Sequence, residues 1–243
     1  LFSVTTKDEI AKAQISAPPY GGFLTIPPNE QSFVHLGPGG NYEPSCFVDS
    51  TARMMHGIGF RKGDIVVNCF NHNLFWGGIV QTLALNRLGV TVIHAGPGNS
   101  ELLLRVFREV KVTGFFGMGN FLLSLMRRAK ETGLDPRRDF SLELAGHSGE
   151  MVAPAAKKEL LEDYGIEVRE AYGHEDLGMA TYECHERSGM HVCEEFFAEI
   201  LDPDTHVRLG PGEIGELVVT CLANKAYPLI RFATGDLSCL IDE

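Results

Sequence analysis

Between residues 64 and 174 the sequence alternates short apolar runs with longer helix-patterned segments, and this alternation limits the fold more than any other feature. The apolar runs are "DIVVNCF", "VTVIHAG", "VTGFFGMG", "FSLELAGHS" and "IEVREAYG". Between them lie "NLFWGGIVQTLALNRLG", "SELLLRVFREVK", "NFLLSLMRRAKETG" and "VAPAAKKELLEDYG", each long enough for three turns of helix. Runs this short and this apolar suit strands covered on both faces. Strand, helix, strand at this spacing predicts a parallel α/β sheet with flanking helices. Ser100 is the expected cap of the second of these helices, and Gly133 the expected stop of the third.

The flanking regions read differently. Residues 1–30 are mixed and proline-rich, which predicts a short helix and then loop. "HLGPGGNYEPS" (35–45) is a glycine-rich loop without Lys. "CFVDSTARMMHGIGF" has helical spacing, with Asp49 or Ser50 as cap. From about residue 179 short alternating stretches are separated by turns such as "DPDTH" and "GPGEIG". They predict an antiparallel β-rich subdomain over 179–243, following an α/β core over 1–178.

Composition removes several classes of function. Apolar residues make up 44% of the chain and charged residues 22%, so a sizeable core is available. Net charge is −11, without a basic stripe, which disfavours nucleic acid and anionic membrane surfaces as partners. There is no apolar run of spanning length and no signal-peptide plan at the start. Six scattered Cys do not form a disulfide framework. Together these predict a cytoplasmic protein. No G-x-S-x-G elbow marks a serine hydrolase, and no dinucleotide fingerprint opens a helix.

Ligands of open parallel sheets bind at the carboxyl ends of the strands. "HAGPGNS", "GMGN", "AGHSGEM" and "AYGHEDLG" all fall there, although each is also explained as a tight strand-to-helix turn. "AYGHEDLG" is the most specific. Tyr172 offers an aromatic face to a flat base, Gly173 a close turn, and Glu175 and Asp176 hard oxygens suited to Mg²⁺. The same acids also suit a solvated helix start. Asp236, after Gly235 in "PLIRFATGDL", is placed either to accept from ribose hydroxyls or to bond its own turn. Phe70, Phe75 and Trp76 fit an aromatic ligand or plain helix packing.

In order along nearly the whole chain, "TTKDEI", "FRKGDIVVNCFNHNLFWGGIVQTLALNRLGVTVIHAGPGNSE", "AYGHEDLG", "GMHVCEEFF", "GEIGELVVT" and "YPLIRFATGDL" resemble the phenylacetate–CoA ligase-like branch of the adenylate-forming superfamily. The resemblance implies the large N-terminal domain of such an enzyme. It also implies a reaction, in which a carboxylate attacks the α-phosphate of ATP and a thiol such as CoA takes the acyl group from the adenylate. On this basis Tyr172 and Gly173 lie against adenine, with Ser148, Gly149 and Glu150 bordering it. Asp176 stands at the Mg²⁺-associated acid, usually Glu, and Glu175 where Ser or Thr is common; these two are the expected catalytic acids. Asp236 matches the ribose-binding acid. Phe70, Phe75, Trp76 and His174 would line the acyl pocket, which favours an aromatic carboxylate, a CoA or carrier thioester, and a role in aromatic secondary metabolism. Relatives are often homodimers. The alternative is a homologue that binds nucleotide or aryl acid without ligase chemistry.

The sequence departs from that family in two places. "LGPGGNYEP" aligns with a phosphate loop that normally ends Gly-Lys-Pro, so Glu43 replaces a cation with an anion. The expected remnant is an anion nest of backbone N–H groups from Gly37, Gly39 and Gly40, with weakened ATP handling. The family's small C-terminal domain is not in this sequence, and the expectation is either a fragment of a longer product, which a start at Leu1 favours, or a naturally reduced protein. In addition, "ECHERSGMHVC" brings Cys and His together, and some members of the branch bind zinc here; Cys184 and His191 would then be ligands, the remaining two Cys falling beyond residue 243 or being replaced by Cys239 or Cys221. Buried thiols and surface imidazoles are the plainer explanation.

Overall fold

The computed structural model describes residues 2–37, 39–45 and 48–241. Its contacts divide the chain into two compact units, residues 1–47 with 174–180 and 192–243, and residues 48–173 with 181–191. This division differs from the boundary expected at 178/179, because the first 47 residues belong with the β-rich end of the chain.

The chain opens with β1 (Thr5–Thr6) and α1 (Lys7–Ser16). "TKDE" is a capping box. The Thr6 hydroxyl accepts the Glu9 N–H at 3.3 Å, and the Glu9 carboxylate accepts the Thr6 N–H at 2.8 Å. The box fixes the entry of α1 and sets Lys7 in its first turn. On the inner face of α1, Gln14 exchanges two hydrogen bonds with the Tyr42 backbone, each at 2.8 Å, and donates to the Tyr227 hydroxyl at 3.1 Å. These bonds tie the helix to an antiparallel hairpin of β2 (Phe33–Leu36) and β3 (Tyr42–Ser45). The glycine-rich stretch is therefore the tip of a hairpin, and its last residues form a strand.

The second unit carries the predicted alternation. It runs α2 (Val48–Ile58), β4 (Ile65–Asn68), α3 (Trp76–Arg87), β5 (Thr91–His94), α4 (Ser100–Glu109), β6 (Gly114–Gly117), α5 (Gly119–Glu131), α6 (Pro136–Asp139), β7 (Leu144–His147), α7 (Pro154–Tyr164) and β8 (Glu167–His174). The strands pair in parallel in the order β5-β4-β6-β7-β8. The same sheet continues into β9 (Gly178–Tyr182) and β10 (His191–Val192), which the sequence assigned to a separate β-rich part. Phe107, Phe115, Leu122 and Met126 are fully buried between sheet and helices, each stabilising the unit by about 1.5–3 kcal/mol. Two expected caps differ. Asn99 caps α4 from a left-handed conformation (φ 48°), its side chain accepting the Leu102 N–H, so Ser100 is the first helical residue. Asp49 and Ser50 lie inside the first turn of α2.

The C-terminal strands β11 (Phe196–Leu201), β12 (Gly215–Cys221) and β13 (Phe232–Ser238) are antiparallel, as predicted, and β1 adds to β13 in parallel. The β12–β13 register shifts between Glu216 and Val218. Gly235 sits in β13 at φ 79°, a conformation open to Gly at little cost. Asp236 thus lies in an irregular strand instead of the expected turn.

Candidate functional site

The first unit holds a knot of ionisable groups built from three distant segments. β8 ends at His174, and Glu175 and Asp176 occupy the link to β9. Asp176 is buried, and burial followed by the charge of Glu175 pushes its carboxyl up to about 6. His174 packs its ring 5.0 Å from that of Phe232, and its pKa is lowered chiefly by burial. Its Nδ1 accepts the Asp176 N–H at 3.3 Å. That nitrogen then carries no proton, so the 3.4 Å separation of Nδ1 from Asp176 Oδ2 is not a hydrogen bond. Both oxygens of Asp176 are buried without a hydrogen-bond partner among the described residues.

Glu43 enters the same knot from β3. It is 4% exposed, and among the described residues neither carboxylate oxygen has a hydrogen-bond partner. A methyl group added to Gly37 would collide with Glu43 Oε1 and lie 3.5 Å from Glu175 Cδ, so both carboxyls close on one glycine. Burial, then the charges of Asp176 and Glu175, push Glu43 up to about 9. It therefore holds its proton at neutral pH. The expected anion in place of the loop cation is a neutral acid, because a buried carboxyl facing two others gives up its charge before it gives up its place.

Lys7, in the first turn of α1, supplies the positive charge. Its ammonium pairs with Glu175, and its side chain stays 44% exposed. Burial works against its charge, but Glu175, Asp176 and Glu43 together raise its pKa. The hairpin tip beside it is not the nest expected. The Gly37 N–H donates to Asn41 O at 3.0 Å and the Gly40 N–H to Gly37 O at 2.8 Å, so two of the three amides serve the turn itself. Gly39 and Gly40 are exposed, and Gly40 takes φ 82° with open space on its α-carbon.

His174, Glu175 and Asp176 offer ligand atoms within 4.8 Å of one another. The unpartnered oxygens of Asp176 suit a hard cation such as Mg²⁺. Among the described residues neither Cys184 nor His191 joins such a group of three. Cys184 accepts the Glu186 N–H at 3.4 Å, and the His191 ring lies 5.4 Å from that of Tyr182. Structural zinc takes four ligands, and nothing further among the described residues supports the expected zinc.

The remaining expected residues are placed as follows. In the first unit, Asp236 is exposed, its N–H donating to Thr234 Oγ1 at 3.2 Å. In the second unit, Ser148, Gly149 and Glu150 follow β7, and Tyr172 and Gly173 lie near the end of β8. Ser148 is buried, and Glu150 accepts the Asn120 N–H at 2.8 Å. Phe70 packs 5.5 Å from the buried ring of Phe116, which is core packing, and a methyl group added to Gly149 would lie 3.9 Å from Phe70 Cε1. Phe75 precedes α3 and is 37% exposed, and Trp76 begins the helix half-buried. Lys7 was missed as a site residue. Its only signal was the position of "TTKDEI" among the resembling segments.

A family model of AMP-binding enzymes matches residues 45–221. A phenylacetate-coenzyme A ligase from Thermus thermophilus is 29% identical over 91% of this chain and 53% of its own length. One from Pseudomonas putida is 30% identical over 92% and 54%. The chain therefore spans about half the length of the curated relatives it matches. Among solved structures, an open conformation of 2-hydroxyisobutyryl-CoA ligase in complex with 2-HIB-AMP and CoA superposes with a TM-score of 0.93 at 25% identity, covering 99% of this chain and 55% of that one. A long-chain-fatty-acid-CoA ligase from Archaeoglobus fulgidus, at 16% identity and a TM-score of 0.70 over 89% and 50%, shares the fold.

Proposed function

The chain belongs to the AMP-binding enzyme family, in its phenylacetate–CoA ligase-like branch, and from that premise we propose that it is the nucleotide- and acid-binding part of an adenylate-forming acid–CoA ligase. The substrate carboxylate would attack the α-phosphorus of ATP, the bond to the bridging oxygen would break, and pyrophosphate would leave. CoA thiol would then take the acyl group and release AMP. Such a reaction depends mainly on placing the reactants and stabilising charge. The observation that carries the proposal is the buried Asp176, its oxygens unsatisfied, beside Glu175, His174 and a glycine hairpin. Asp176 and Glu175 would hold Mg²⁺, whose charge offsets that of the polyphosphate. Asp236 would accept from the ribose hydroxyls, and Tyr172 and Gly173 with Ser148, Gly149 and Glu150 would serve the adenine end.

For the acyl group, the two relatives named as phenylacetate-coenzyme A ligases support an aromatic acid. Phe75, Trp76 and His174 would line its pocket with Phe70; Phe75 is 37% exposed and Phe70 is partly committed to the core. A place in aromatic secondary metabolism rests on the altered phosphate loop alone. Pyrophosphate exchange with a panel of aryl and aliphatic acids, on the whole protein, is the test. Exchange with phenylacetate or a benzoate supports the aryl ligase, and exchange with aliphatic acids alone overturns the aromatic assignment. Glu43 in place of the loop Lys favours a second reading, a binding protein without the chemistry. That reading predicts AMP binding with no exchange for any acid.

A further inference from the structure

We propose that Lys7 is the polyphosphate-binding cation of this chain, standing in from helix α1 for the Lys that its glycine loop lacks. The inference rests on the reading that the chain binds ATP.

A loop that holds β- and γ-phosphates needs positive charge or a set of free donors. This one has lost most of both. Glu43 occupies the Lys position and is buried. Two glycine amides are engaged within the turn, Gly37 with Asn41 and Gly40 with Gly37. Among the described residues nothing lies within 4 Å of a methyl group added at Gly40, so the loop is open there. At the neighbouring Gly39 the same test finds one atom among the described residues, Cε of Lys7, at 3.9 Å. The Lys7 side chain thus passes beside Gly39 on its way to Glu175.

The local structure holds it there. The Thr6–Glu9 capping box fixes the first turn of α1, and Gln14 bonds the helix to β3, one strand of the hairpin whose tip is the loop. Helix and loop therefore keep their relative position. At its far end Lys7 pairs with Glu175, itself next to Asp176. A half-exposed ammonium can stay against Glu175 and still point a second donor at a ligand, because it carries three N–H groups. The acid at position 175, where the family commonly has a hydroxyl, is the partner that holds Lys7 in place.

The test is calorimetry on the full chain with Mg²⁺ present, titrating ATP, AMP and inorganic tripolyphosphate. Lys7→Met should weaken ATP and tripolyphosphate by about tenfold or more, the effect of losing a charge-assisted contact, and leave AMP within about twofold. Lys7→Arg, which keeps the charge and the helix, should retain most of the ATP affinity. A merely structural Lys7 would weaken ATP and AMP together. Equal losses for the two nucleotides in Lys7→Met, or an unchanged ATP affinity, would overturn the inference while the nucleotide reading stands. If the unaltered chain binds neither nucleotide, both fall.

Discussion

Glu43 shows how a single residue can mislead when read by its charge. In sequence it is an acid in a phosphate loop, an arrangement that predicts repulsion. In the structure it is buried with two other carboxyls nearby, and burial with their charges pushes its pKa up to about 9. The unfolded chain ionises the same group near 4.5. Between those values the folded state holds a proton that the unfolded state has released. Stability conferred at low pH is therefore lost as pH rises through this window, at up to about 1.4 kcal/mol per unit. Asp176, raised from 3.8 to about 6, adds to the loss at the acid end. Denaturant titrations from pH 5 to 9 should show falling stability, and Glu43→Gln, a neutral isostere, should flatten the slope. A slope unchanged by Glu43→Gln would place the charge elsewhere. At Asp236 the expectation concerns ligand. Asp236→Ala should weaken AMP by about 1.5–3 kcal/mol, the cost of losing bonds to a charged acceptor. Unchanged affinity in calorimetry would remove Asp236 from the ribose site.

At the scale of elements, close approach decides more than propensity. Strands β6 and β7 carry glycines because rings press on their backbones. A Cβ on Gly146 would lie 2.7 Å from the Phe116 ring and 3.3 Å from that of Phe60. The alternating pattern located these strands to within a few residues, but it gave no reason for a glycine inside a strand, where it ordinarily weakens packing. Gly146→Ala should destabilise the chain by about 1–3 kcal/mol through overpacking, measured as a lower denaturant midpoint. A neutral result would mean that Phe116 moves aside freely. The same limit explains the hairpin β2–β3. "FVHL" and "YEPS" lack a clean alternation, with an acid and a proline in the second strand, and β3 is fixed by Gln14 of α1 instead of by its own pattern.

For the whole molecule, the first 47 residues and the C-terminal strands form one compact unit although they are far apart in sequence. β1 pairs with β13, Thr5 opposite Phe232. A ligand that binds the folded chain stabilises it by mass action, about 2.7 kcal/mol at a hundredfold excess over its dissociation constant. AMP with Mg²⁺ should therefore raise the unfolding temperature of the full chain, and Asp176→Asn should lower the Mg²⁺-dependent part of that rise. A rise equal with and without Mg²⁺ in the unaltered protein would disconnect the carboxylates from the metal. No helix among the described residues is long and apolar enough to cross a membrane.

The sequence by itself determined the parallel α/β core, the strands whose ends carry Tyr172 to Asp176, and the antiparallel strands that hold Asp236. These follow from hydrophobic periodicity, which is local and repeats within a dozen residues. Only the tertiary structure decided the protonation of Glu43, the use of the loop amides, and the pairing of Lys7 with Glu175 across 168 positions. Charge state and partnership depend on what surrounds a group once distant segments have packed, and no window of sequence contains that information.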